Sequence, residues 1–354
     1  MTSKLKFSLL LCFSILGLNS FAQITTTVPI SKAVKTGVLE NGMTYYIMHN
    51  EEPKDRASFY FVQNVGAILE NDSQNGLAHF LEHMAFNGLK NYPGKNMLDY
   101  LEKNGILFGR DINAYTAQDE TVYNLSNIPV AREALLDSTL LVLHDWSGGL
   151  LLEGKEIEAE RGVIHEEWRT RRTAQFRLRN KTNPVMLNYS KYADRDVIGS
   201  LDVIDHFEHS AIRDYYKKWY RPNLQAVVIV GDIDVDKMEA KVKALFSEIP
   251  MPKNAAERTF AKVDDSKEIG YVVAKDKEAK SMNIMWAFRY DLDTVITEET
   301  QRRDMATSMF NMMLKSRIAE KTKKLECSAS GIEFGGYEMV RTKGLNYVYI
   351  VFCQ

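Results

Sequence analysis

The sequence predicts an α+β chain of two domains, and three observations carry that reading. Aromatic and β-branched runs that read as strands are interspersed with longer stretches of helical periodicity. The chain has 354 residues, 45% of them hydrophobic, which is enough to bury a substantial core. A polar, proline-containing stretch over 251–262 reads as a linker between a domain over 23–250 and a partial second α+β domain over 263–354.

Taken in order, Thr44 to Met48 and Ala57 to Val62 read as strands, with Asn41-Gly42 as the turn before the first. A helix over about Gly76 to Phe86 stops at Asn87-Gly88, and another over about Asn96 to Lys103 stops at Asn104-Gly105. Ile112 to Thr116 and Glu120 to Ser126 read as a strand pair joined by a short polar turn. Leucines at helical spacing mark a long helix over about Val130 to Trp146, and a further helix runs from near Glu153 through Trp168. Residues 211–219 read as helix, Leu224 to Val230 as a buried strand and Val235 to Phe246 as helix. Beyond the linker, Gly270 to Ala274 and Asn283 to Phe288 read as strands and Thr300 to Thr322 as helix. The run from Asn346 to Gln354 is strand-like and stops without a turn or tail. The second domain is therefore expected to be incomplete, the chain being either a fragment or one subunit completed by a partner.

A net charge of −2 gives no electrostatic case for nucleic acid. The basic run Arg169, Arg171, Arg172, Arg177 and Arg179 reads as a solvated helix face among nearby acids. At the N-terminus, Lys4 and Lys6 precede an apolar run, Phe7 to Leu18, and Ser20-Phe21-Ala22 offers the small residues that a signal peptidase needs. That run is too short to span a bilayer comfortably. A signal peptide over 1–22 with no later membrane span is expected, and with it a bacterial periplasmic or secreted protein. Cys12 belongs to the signal. Cys327 and Cys353 are free thiols or one disulfide, and neither lies near a motif.

The chemistry is concentrated in His79-Phe80-Leu81-Glu82-His83. On a helix, residues 79 and 83 are one turn apart on the same face, so two imidazoles can reach one tetrahedral metal at about 2.1 Å each. Glu82 lies between them in angle, placed to take a proton from a water and pass it to a leaving amine. A catalytic zinc needs a third protein ligand. Glu160 and Glu167 are two helical turns apart and can face one site, whereas Glu166 is turned away by about 100°. His165 is off that face, His144 reads as a structural histidine, and His49, His206 and His209 have no partner pattern.

The stretch Gly76 to Gly88, with His79, Glu82 and His83, resembles the inverted zinc motif of the pitrilysin-like (M16) metallopeptidases. The resemblance extends through Leu39-Glu-Asn-Gly42, Asn113-Ala-Tyr-Thr116 with Thr121 and Tyr123, Glu160-Arg-Gly-Val-Ile164, and Tyr220-Arg-Pro-Asn223 leading into Val227 to Asp232. It implies an antiparallel sheet flanked by helices, followed by an incomplete domain of the same type. His79 and His83 would be ligands to one Zn2+ per chain, and Glu82 the general base. Counting residues favours Glu160 as third ligand. The position after the Glu-Arg pair favours Glu167, which is preferred here, with Glu160 orienting the site.

The resemblance implies a zinc-dependent endopeptidase that hydrolyses peptides or unfolded protein segments. Substrate would lie along Ile112 to Thr116, with Asn113, Ala114, Tyr115 and Tyr123 as contacts. Relatives enclose substrate between two homologous halves. The alternative is thus a peptide-binding subunit or truncated homologue that needs a second M16-type chain for activity. Cleavage specificity and the physiological substrate are not legible.

Overall fold

The computed structural model describes residues 26–322 and 329–352. The expected signal segment over 1–22 and Cys12, Cys327 and Cys353 lie outside them. Ser31–Lys280 forms one compact unit, and residues 26–30 with 281–352 belong to a second.

The first unit is built on six strands: β1 (Val34–Val38), β2 (Thr44–His49), β3 (Arg56–Gln63), β4 (Ile112–Thr116), β5 (Thr121–Pro129) and β6 (Gln225–Gly231), in the sheet order β1-β2-β6-β3-β5-β4. All neighbours are antiparallel except β2 and β6, whose long connection allows a parallel crossover. The sheet expected from the resemblance is therefore antiparallel with one parallel pair. Strand alternation puts Ile47, Ile229, Phe59, Leu125 and Ile112 in one row across the sheet, and Tyr45, Val227, Phe61, Tyr123 and Ala114 in the next. Phe59, Phe61, Ile47, Val227 and Ile229 are fully buried, while the other face of β3 is half-buried. Burying side chains of this size stabilises by about 1.5–3 kcal/mol each.

Helix α1 (Leu77–Met84) packs against β4. After α2 (Asn96–Lys103) comes α3 (Glu133–Gly148), which covers β3 and β5. Trp146 of α3 stacks on Tyr123 with ring centroids 5.1 Å apart, and its Nε1 donates to Ala85 O at 3.1 Å. One aromatic side chain thereby ties the sheet to the end of α1. Then follow α4 (Gly154–Arg171), α5 (Ala174–Met186), α6 (Lys191–Asp194), α7 (Leu201–His206), α8 (His209–Trp219) and α9 (Val235–Phe246). Helices α4 and α8 pack on α1, so the metal-motif helix is enclosed by a strand and two helices.

Some elements differ from expectation. β1 escaped because Lys35, Thr36 and Gly37 break its apolar pattern, as an edge strand tolerates. Helix α5 escaped because it is polar and contains Pro184. Gly270 to Ala274 has strand composition but forms no strand, and Ile269, Tyr271 and Val273 are exposed. Within the stretch expected as a linker, Arg258 is buried and its Nε donates to Asn64 O at 2.9 Å. The basic run is paired with acids, Arg169 with Glu166 and Arg177 with Asp276 and Glu278.

The second unit holds β7 (Met282–Asp291), α10 (Glu298–Thr322), β8 (Ala329–Val340) and β9 (Lys343–Phe352), with an antiparallel sheet in the order β7-β9-β8. No described helix is long and apolar enough to cross a membrane.

Candidate metal centre

Every residue of α1 except His83 is buried, so its polar side chains must find partners inside the protein. The helix is fixed at its start from outside itself. The buried Glu70 carboxylate accepts from Gly76 N at 3.0 Å and Ala78 N at 2.7 Å, satisfying two of the helix's unpaired amides. Burial pushes the Glu70 carboxyl up to about 8, against the pull of those two hydrogen bonds. Gly76 sits at φ +109, which only glycine adopts easily. A Cβ on the neighbouring Gly199 would come 2.3 Å from Gly76 Cα, so the loop before α7 clamps the same end.

His79 and His83 project from one face, their rings 4.7 Å apart at 70°. Glu167 of α4 closes the triangle: Oε1 is 3.6 Å from His79 Nε2 and Oε2 is 3.3 Å from His83 Nε2. One ligand atom from each of the three lies within 4.8 Å of the others, and this is the group of metal-ligand type found among the described residues. The ligands of a tetrahedral site with bonds of about 2.1 Å are about 3.4 Å apart, so the two nitrogen–oxygen separations fit zinc. Two imidazoles and a carboxylate are also the donor set of an open catalytic zinc site.

Glu160, two turns earlier on the same face of α4, does not reach that triangle. Its Oε1 meets His83 Nδ1 at 2.8 Å, and its Oε2 accepts from Asn87 Nδ2 at 2.6 Å. His83 thus presents Nε2 to the centre while Nδ1 is held from behind. Among the described residues His79 finds no such support, its Nδ1 being buried without a hydrogen-bond partner there. Burial opposes charge on His83, but hydrogen bonds to Glu160 and Glu167 outweigh it and lift the imidazole to about 9. Burial and the charge of His83 push His79 down to about 4.

Glu82 is buried beside the triangle, and its Oε2 accepts from Thr116 Oγ1 of β4 at 2.5 Å. Burial raises its pKa above the ordinary carboxylate value, and that hydrogen bond opposes the rise. Arg171, one turn beyond Glu167, places Nη2 2.5 Å from Glu167 Oε1. Asn113 and Tyr115 are exposed on β4, Ala114 is half-buried between them, and β4 is the edge strand. Tyr123 is different: it is fully buried and shares a hydrogen bond of 2.7 Å with Tyr220, so substrate cannot touch it. The resemblance put Tyr123 among the substrate contacts, but its side chain belongs to the core row under Trp146. Sequence reasoning missed Glu70, Asn87, Thr116 and Arg171 as site residues. Arg171, four residues after Glu167, and Asn87, four after His83, had a local cue in helical spacing.

Comparisons with known proteins show the family and the fold. Residues 45–186 match the insulinase family (peptidase family M16), and residues 206–352 match the M16 inactive domain. The chain is 34% identical over 299 residues to a probable zinc protease PqqL of Escherichia coli, covering 83% of this chain and 32% of that protein. Against a probable zinc protease PqqL of Haemophilus influenzae it is 38% identical over 251 residues, covering 70% and 27%. The chain thus spans about a third or less of the length of these curated relatives. Its fold superposes on the first half of the periplasmic protease PqqL from Escherichia coli with a TM-score of 0.85 and 30% identity, covering 92% of this chain and 70% of that one. It superposes on pitrilysin with a TM-score of 0.68 at 19% identity, a likeness of fold.

Proposed function

The chain belongs to the M16 peptidase family, and from that premise we propose that it is a zinc-dependent endopeptidase acting on peptides or unfolded protein segments in the bacterial periplasm. The observation that carries this reading is the convergence of His79, His83 and Glu167 beside Glu82 and an edge strand. His79 Nε2, His83 Nε2 and the Glu167 carboxylate would hold one zinc ion. Such an ion would supply Lewis acidity toward a peptide carbonyl and lower the pKa of water near it.

The remaining work belongs to the protein's own groups. Glu82 accepts a proton from water and returns it to the amine that leaves, a task suited to a carboxylate whose pKa burial has raised. Thr116 fixes the orientation of Glu82 through its hydroxyl. The exposed edge of β4 adds an extended substrate as a further strand, with Asn113 and Tyr115 along its length. Main-chain pairing of that kind is tolerant of sequence and demands an extended chain, which is why unfolded segments are the substrate class.

Cleavage of an unfolded peptide by the purified chain, with and without chelator and with Glu82→Gln as control, tests the reading. Cleavage abolished by chelator and by Glu82→Gln is expected; chelator-insensitive cleavage would sink it. The second reading, a peptide-binding subunit completed by another M16-type chain, draws on the share of its relatives' length that the chain spans. Zinc and peptide binding without turnover, restored by a partner chain, would favour it.

A further inference from the structure

We infer that Asn87 and Lys95 are positioning residues for the zinc site, the outer links of a hydrogen-bonded chain that runs Lys95–Asn87–Glu160–His83. The inference rests on reading His79, His83 and Glu167 as zinc ligands, and it concerns residues that touch neither metal nor substrate. Glu160 Oε1 meets His83 Nδ1 at 2.8 Å, and Asn87 Nδ2 donates to Glu160 Oε2 at 2.6 Å. Lys95 Nζ donates to Asn87 Oδ1.

The polarity of the chain is forced by its ends. An ammonium can only donate and an ionised carboxylate can only accept, so a residue between them must accept on one side and donate on the other. An amide does both. Aspartate at 87 would face Glu160 with a second negative charge, and an aliphatic residue would leave the buried Glu160 Oε2 without this donor. The Asn87 amide nitrogen also lies 3.3 Å from His83 O, tying it to the last turn of α1. With both Glu160 oxygens occupied, the carboxylate cannot swing, and the His83 ring is held with Nε2 toward the centre.

Among the described residues, His79 Nδ1 is buried with no hydrogen-bond partner, whereas His83 Nδ1 meets a carboxylate, so the orienting chain bears on His83. The links also join three separate parts of the fold: the turn after α1, the residue just before α2, and α4. Asn87-Gly88 reads in the sequence as a helix stop, and the asparagine side chain does more than end the helix.

The test is zinc affinity of the full chain, measured by competition with a chromogenic chelator, alongside the melting temperature of the metal-free protein. Losing a group that orients a ligand typically weakens metal binding about 10–100-fold, and that range is expected for Asn87→Leu. Lys95→Met, which leaves α1 and its end intact, should weaken zinc several-fold with little change in metal-free melting, and Lys95→Arg should restore it. In a Glu160→Gln background, Asn87→Leu should add little, because the chain is already broken. Wild-type zinc affinity in both Asn87→Leu and Lys95→Met would overturn the inference. So would a full additional loss from Asn87→Leu in the Glu160→Gln background. Should Asn87→Leu fail to fold, Lys95→Met with its arginine rescue decides alone. A wild-type chain that binds no zinc, or one unaffected by His79→Ala, would instead overturn the ligand assignment beneath it.

Discussion

Thr116 Oγ1 lies 2.5 Å from Glu82 Oε2, so the edge strand and the acid beside His79 and His83 are joined by a single hydrogen bond. A hydroxyl bonded to a carboxylate at this distance is a strong charge-assisted contact. It leaves the other carboxylate oxygen free of Thr116, and in the proposed mechanism it would set Glu82 in register with a substrate paired to β4.

Thr116→Val keeps the shape of the side chain and deletes the donor. Losing one hydrogen bond to a charged group costs about 1.5–3 kcal/mol, so kcat for an unfolded peptide should fall about tenfold or more. KM and zinc content should change little, and Thr116→Ser should restore most of the rate. Equal kcat in the valine variant would show that Glu82 needs no orientation from β4.

Metal binding should release about one proton per chain at pH 7. In the metal-free site, hydrogen bonds to Glu160 and Glu167 overcome burial and lift His83 to about 9, so it enters charged. Burial holds His79 down to about 4, so it enters neutral and has no proton to lose. Zinc affinity should therefore climb as pH rises toward 9 and level off above it. Calorimetry in buffers of different ionisation enthalpy reads the proton count directly. A count near two would mean that His79 is also charged.

The central triad is legible in sequence because His79, Glu82 and His83 share one helix, where spacing fixes geometry. Glu167 is legible by helical phase, since Glu160 and Glu167 are candidates on one face, and the structure separates them by which histidine nitrogen each meets. Thr116 and Glu70 are another matter. They reach α1 from a strand and a loop, and no local period connects residue 116 with 82 or 70 with 78. Gly270 to Ala274 shows the converse: β-branched and aromatic composition favours a strand, but a strand also needs a neighbour to pair with.

Glu70 should make the metal-free protein lose stability as pH rises. Its folded-state value is raised by burial to about 8, against about 4.5 in the unfolded chain. Between those values the folded state binds the extra proton, so the contribution is fully present below about 4.5 and is lost as pH rises through about 8. Melting temperature measured from pH 5 to 9 should fall, and Glu70→Gln should flatten that slope. The glutamine variant should also melt lower at pH 6, because its amide nitrogen would face a backbone N–H in place of a carboxyl oxygen. An unchanged pH slope would mean that Glu70 stays ionised between its two backbone donors.

Arg171 would compete with a metal for Glu167. Its Nη2 is 2.5 Å from Oε1, and its charge also bears on His79 and Glu82. The guanidinium is about half exposed, so solvent and salt screen it, and the effect of removing it is modest. Arg171→Met should tighten zinc binding about two- to tenfold at low salt, with the difference shrinking in 0.5 M salt, on the order of what screening allows. Weaker binding at every salt concentration would show that Arg171 orients the carboxylate more than it repels the metal.

The two glutamates of α4 should part company when each is neutralised. Glu167 offers its oxygens to both ligand nitrogens, so Glu167→Gln replaces an anionic donor with a weak neutral one and should leave the purified chain nearly free of zinc. Glu160 touches only the far nitrogen of His83, so Glu160→Gln should retain zinc with affinity reduced about 10–100-fold. Zinc content after dialysis separates them, since the first loss is complete at micromolar metal and the second is recovered by adding more. An undiminished Glu167→Gln chain would move the third ligand to Glu160, and the hydrogen bond now assigned to His83 Nδ1 would have to be given up to supply it.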